Sequence, residues 1–73
     1  MSKLPIVSGR ECVVALQKIG FTITAQKGSH INMRRANPFG KTVVPNHKAL
    51  KKGTLKAILK DANLTVDEFI ALL

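Results

Sequence analysis

The chain has no tryptophan, no tyrosine, one cysteine and four acidic residues among 73. Each scarcity excludes something. Three phenylalanines are the whole aromatic complement, so base stacking on rows of rings, of the RRM or OB type, is poorly supported. A single cysteine, Cys12, permits no internal disulfide framework, which argues against a small secreted scaffold. So few carboxylates leave no pair for acid–base work and a poor basis for a Mg²⁺ nuclease centre. Cys12, His30 and His47 are the only thiol and imidazole ligands, and none falls in a C-x-x-C, H-x-x-x-H or H-E-x-x-H pattern. No metal and no other cofactor is expected. Apolar runs such as Val13-Val14-Ala15-Leu16 fall far short of the ~20 residues a bilayer span needs. Met1-Ser2-Lys3-Leu4-Pro5 meets a proline before a signal-peptide core can form. A cytoplasmic protein with no membrane partner is the expectation.

What the chain has in excess is positive charge. Twelve Lys and Arg against four Asp and Glu leave a formal net charge of +8. No acid occurs between Gly20 and Lys60, a stretch that holds Lys27, Arg34, Arg35, Lys41, Lys48, Lys51, Lys52 and Lys56. A cationic middle of this kind attracts polyanions and raises their on-rate. Nucleic acid is the obvious partner, although an acidic protein or an anionic membrane surface would answer to the same field. With 45% hydrophobic residues the chain reads as a packed globule rather than a basic tail. Its length suits one domain over residues 1–73, of roughly 11 Å radius of gyration, with residues 1–7 as a leading segment.

Local patterns supply the elements. Ser8-Gly9-Arg10-Glu11 has capping-box spacing, Val13, Leu16 and Ile19 follow at helical intervals, and Gly20 suits the left-handed helix end. A helix over about residues 9–19 is predicted. Phe21–Ala25 and Ser29–Arg34 alternate as strands. A three-residue loop, Gln26-Lys27-Gly28, pairs Ile23 with Ile31 and Phe21 with Met33. That register makes both strands agree on the buried face, whereas a two-residue loop at Lys27-Gly28 pairs Ile23 with Asn32. It sets His30 opposite Thr24 and Asn32 opposite Thr22 on the outer face. After the turn-rich Ala36–Gly40, Lys41–Pro45 forms a third strand. Leu55, Ile58, Leu59 and Ala62 mark a second helix, and the capping-box spacing of Thr65 and Glu68 opens a short third one. The expected class is α+β, ordered α-β-β-β-α with an extra C-terminal helix. Helices cover one face of a three-stranded antiparallel sheet and leave the other open.

His30 is the candidate with chemistry. Imidazole trades protons near neutral pH without special tuning, although a lone strand histidine is usually surface decoration. Gly28-Ser29 before it makes a tight turn that a phosphate could approach closely. Asn32 and Arg34 project from the same face, and no carboxylate is near in sequence. His47 is a second candidate acid/base or phosphate ligand, with a capping or loop role equally open. Lys48, Lys51, Lys52 and Lys56 could bind backbone phosphates or simply form a solvated helix face. Cys12, in the first helix, reads as a small buried hydrophobe.

Gly20-Phe21, Lys27-Gly28-Ser29-His30, Val44-Pro45-Asn46-His47 and Lys52-Gly53-Thr54-Leu55 with Ile58-Leu59 together resemble the HicA (YcfA-like) toxin family, in order and at its spacing, from about Ser8 onward. None of these positions departs from the family pattern. The resemblance implies a fold similar to a double-stranded-RNA-binding domain. It also implies a ribosome-independent mRNA interferase, the toxin of a type II toxin–antitoxin pair. The family's catalytic histidine maps onto His30, and its partner is a HicB antitoxin that masks the toxin. Gly28, Ser29, Asn32, Arg34, Lys48, Lys51, Lys52 and Lys56 are then the expected RNA-binding residues, and no direct sequence-specific DNA binding is expected. Two other readings remain. One is a non-catalytic RNA-binding module of the same fold. The other is a helix-turn-helix over Thr54–Ala62 and Thr65–Leu73, weakened because its last helix carries Asp67 and Glu68 and no basic residue.

Overall fold

The computed structural model describes residues 3–73; Met1 and Ser2, which begin the leading segment, lie outside the described residues. The elements run α1 (Gly9–Gln17), β1 (Thr22–Lys27), β2 (His30–Arg35), β3 (Gly40–Pro45), α2 (Lys52–Asp61) and α3 (Val66–Ala71). The three strands form one antiparallel sheet in the order β1-β2-β3. This is the α+β arrangement that the patterning predicts.

Both capping boxes form. Ser8 Oγ accepts from the Glu11 amide at 3.0 Å while Glu11 Oε1 accepts from the Ser8 amide at 2.9 Å. Thr65 and Glu68 repeat the exchange at the start of α3. Gly20, at φ +99°, reverses the chain after α1, and the helix ends two residues earlier than its spacing suggests.

The core lies between the helices and one sheet face. Ile31, Met33 and Val44 point inward from the strands to meet Cys12, Leu16, Leu55, Ile58 and Phe69, all buried. Burying side chains of this size contributes roughly 1.5–3 kcal/mol each. The single buried polar side chain described, Thr42, donates its hydroxyl to Asp61 Oδ2 at 3.0 Å. Asp61 thus answers to β3, a link that its sequence neighbour Lys60 does not suggest.

The hairpin register differs from the expected one. Lys27 pairs with His30, so the turn is the two-residue Gly28-Ser29, with Gly28 at φ +58°. Positive φ at the first turn position alone is what a type II′ hairpin requires. An unbroken ladder from that turn would set Thr24 against Met33. Instead the pairing shifts between Ile23 and Ala25, and Ile23 meets Met33. The extra residue of a β-bulge restores the apolar partner. Ile23 therefore does not pair with Ile31, nor Phe21 with Met33; Phe21 precedes β1 and is buried on its own. Nor is Ile23 buried. Helices α1 and α2 pack over β3, and every residue of β1 is exposed.

Two neighbouring arginines divide between the faces, as successive strand residues must. Arg35 points inward over the Phe21 ring at 4.6 Å. It donates to the carbonyls of Pro38 (2.9 Å), Ile19 (3.2 Å) and Ala62 (3.4 Å), joining the β2–β3 loop to the ends of α1 and α2. Arg34 points outward, 5.4 Å from the ring of Phe39.

Candidate nucleic-acid interface

The pairings place three rows of side chains on the open sheet face. Lys27, His30 and Pro45 form the first, Ala25, Asn32 and Val43 the second, and Thr22, Arg34 and Lys41 the third. Successive rows stand roughly 6.6 Å apart. His30 is exposed, with Lys27 directly across the hairpin from it; such cross-strand Cβ atoms lie about 4.5–5.5 Å apart. His30 does not face Thr24, and Asn32 faces Ala25 rather than Thr22. Both still point outward, because the bulge lies on β1 and leaves β2 regular.

Gly28 and Ser29 form the turn that delivers His30, and this turn is tied to the far side of the sheet. The Asn46 amide donates to the Ser29 carbonyl at 2.6 Å. One residue on, the His47 carbonyl accepts from the Gly9 amide at 2.9 Å. The two histidine motifs therefore share one end of the sheet, and α1 starts against the same link. His47 is exposed there, two residues beyond Pro45, the β3 partner of His30.

The lysine cluster divides. Lys48 and Lys51 lie on the link between β3 and α2, both exposed. Lys52 and Lys56 belong to α2 and line a cavity of about 740 Å³ with Lys3, Ile6 and Val66. That cavity belongs to the helical side of the molecule. Lys27 and Lys41 take their place on the sheet face; the expected loop position of Lys27 had hidden it, and only the register reveals it.

Phe39 is a third residue that the patterning passes over. It is 66% exposed at the end of the β2–β3 loop. With Thr24, Asn32, Arg34 and Lys41 it lines a depression of about 320 Å³.

Among the described residues no three His, Cys, Asp or Glu side chains gather in a way that could hold a metal ion. Cys12 is fully buried, and loss of hydration raises its thiol from 9.0 to about 11. No helix is long and apolar enough to cross a membrane among the described residues. Helix α3 buries Phe69 in the core and opens with Asp67 and Glu68, a poor surface for a DNA groove.

A family model described as the HicA toxin of bacterial toxin–antitoxin systems matches residues 9–64, from the start of α1 through the end of α2 and including the whole sheet. No curated protein matches the chain.

Proposed function

Because this chain belongs to the HicA toxin family of bacterial toxin–antitoxin systems, we propose that it is a metal-independent endoribonuclease, an mRNA interferase that acts without the ribosome. The observation that carries this reading is the setting of His30: exposed on an open sheet face, beside Lys27 and Asn32, within a stretch of chain that has no acid.

In the proposed reaction the free-base imidazole of His30 takes the proton from a ribose 2′-hydroxyl. The 2′-oxygen attacks the adjacent phosphorus, and the bond to the 5′-oxygen breaks. One product ends in a 2′,3′-cyclic phosphate; the other begins with a 5′-hydroxyl once that oxygen gains a proton. His47, at the same end of the sheet, is the candidate donor of that proton. Lys27, directly across from His30, neutralises the charge developing on the pentavalent phosphorane, and Arg34 and Lys41 neutralise phosphates farther along the strand. Gly28 and Ser29 let the backbone approach closely, and Lys48 and Lys51 extend the cationic surface beyond His47. Lys52 and Lys56 would contact only RNA that wraps toward the helices.

The reading includes a cytoplasmic location and a HicB-type antitoxin whose acidic surface masks the His30 face. It also takes residues 1–73 as one domain. The non-catalytic alternative uses the same cations and leaves His30 without a task.

Incubating RNA with the purified protein in EDTA tests the proposal. Fragments with 2′,3′-cyclic phosphate ends are expected, and His30→Ala should lower the rate by ~10²–10⁴-fold while leaving RNA affinity within a few fold. Cleavage unaffected by His30→Ala, or abolished by EDTA, would overturn it.

A further inference from the structure

We infer that Phe39, together with Arg34 and Asn32, forms a subsite for one nucleobase of single-stranded RNA; the inference rests on the proposal that the outer sheet face binds RNA. The Phe39 ring is 66% exposed and stands beside Arg34 and Lys41 on a cationic surface. This ring is also held in place. Arg35 fixes the Pro38 carbonyl on one side of it at 2.9 Å. On the other side Gly40 lies so close to Phe21 that a Cβ there would come within 2.7 Å of the Phe21 ring. Arg34 covers Phe39 at 5.4 Å from its centroid. The exposed ring is therefore presented by a loop already ordered in the free protein, which lowers the entropy lost on binding.

The chemistry around the ring selects the ligand class. A base offers a π-face to the side of the Phe39 ring that Arg34 does not cover, an aromatic surface of the kind on which unstacked RNA bases rest, with the guanidinium completing the stack from behind. The Asn32 side chain, half-buried in the depression and without a side-chain hydrogen-bond partner, offers an amide donor and acceptor to a base edge. Lys41 completes the wall and can neutralise the attached phosphate. The depression, at about 320 Å³, sits at the lower end of the roughly 300–1,000 Å³ of small-ligand sites. From His30 to Arg34 the strand advances four residues, roughly 13 Å. The base held there thus belongs to a nucleotide near the one being cut and not to the cut site itself.

The test compares a 12-nucleotide 2′-O-methyl RNA, which resists attack by the neighbouring oxygen, with an abasic strand of the same length and phosphate number. Phe39→Ala should weaken binding of the base-bearing strand about 5–150-fold, the value of one base–aromatic stack, and change binding of the abasic strand less than 2-fold. Phe39→Trp provides the second reading, because the chain has no other tryptophan or tyrosine. Its fluorescence should be quenched by the base-bearing strand alone. Equal losses on both strands, no loss on either, no binding of either strand by the unaltered protein, or equal quenching by both would overturn the subsite. The ribonuclease proposal is read separately from cyclic-phosphate ends on cleavable RNA. A protein that cuts but shows equal losses keeps that proposal and loses the subsite; one that shows the stacking difference and never cuts does the reverse.

Discussion

The Ser29 carbonyl accepts a 2.6 Å hydrogen bond from the amide of Asn46. Two turns far apart in sequence, each leading into a histidine, are thereby fastened together, and Gly9 supports the second of them from below. A Cβ on Gly9 would run into the Pro45 backbone and stand 2.9 Å from the Asn46 Cα. Helix propensity alone favours alanine there by about 1 kcal/mol, but the close approach outweighs it. Gly9→Ala should destabilise the protein by roughly 1–3 kcal/mol in urea melts and lower cleavage through displacement of His47. A stabilised variant would refute the packing argument.

The adjacent arginines should separate stability from binding. Arg35→Gln removes three charge-assisted contacts to carbonyls and the stack on Phe21. A loss of about 2–4 kcal/mol is expected. Arg34→Gln should change stability by no more than about 0.5 kcal/mol and still weaken RNA binding. Thermal melts and filter binding on both variants check the division.

Salt dependence should locate the RNA track. Single-stranded binding loses about 0.7 in the slope of log K against log salt per phosphate contact. Lys27→Gln and Lys41→Gln should each reduce the slope by about that amount, whereas Lys52→Gln and Lys56→Gln leave it unchanged. The reverse result would move the RNA from the sheet to the helices.

Cys12 should be silent in the native protein. Burial raises its thiol from 9.0 to about 11, so the folded state holds this proton to higher pH than the unfolded chain does. The stability tied to it is complete below about pH 9 and is lost as the pH rises through about 11. Iodoacetamide at pH 8 should label Cys12 only when denaturant is added; labelling at equal rates in both states would contradict its burial.

Asn63 ends α2 in the left-handed region at φ +57°. The amides of Asn63 and Leu64 return to the carbonyls of Lys60 and Leu59 at 3.1 and 2.9 Å. Asn63→Ala should cost up to about 1 kcal/mol, because alanine keeps the Cβ that crowds the following carbonyl and loses the polar side chain that offsets it, whereas Asn63→Gly removes the Cβ and should not destabilise. Parallel urea titrations decide the point.

Much of this architecture is legible in the sequence because its signals are local. Ser8 with Glu11, Thr65 with Glu68, and Gly20 after Ile19 each specify a helix boundary within one turn of chain, and each forms. The outward direction of His30, Asn32 and Arg34 also follows from simple alternation along β2. The hairpin register was not legible. It depends on a bulge at Thr24, which leaves no mark in the pattern and alters the parity of everything before it on β1. The two-residue turn also sets Lys27 beside His30, where a three-residue loop carries it away. Arg35 and Phe39 stayed hidden for a related reason: their partners, Phe21 and Arg34, are reached through tertiary packing and the course of a turn, not through periodicity.

The exposure of β1 along its whole length has a consequence for motion. Only β2 pairs with this strand, and no residue of it is buried, so it belongs to the part of the molecule that opens most readily. Its amides should exchange with solvent well before those of β2, which carries Ile31 and Met33 into the core. His30 thus sits on a firm strand while Lys27 sits on a labile one. Fraying of a few residues at the sheet edge would withdraw the charge nearest the imidazole and leave the imidazole where it is. Such a local opening would change the ionic setting of this histidine without altering a global melting curve.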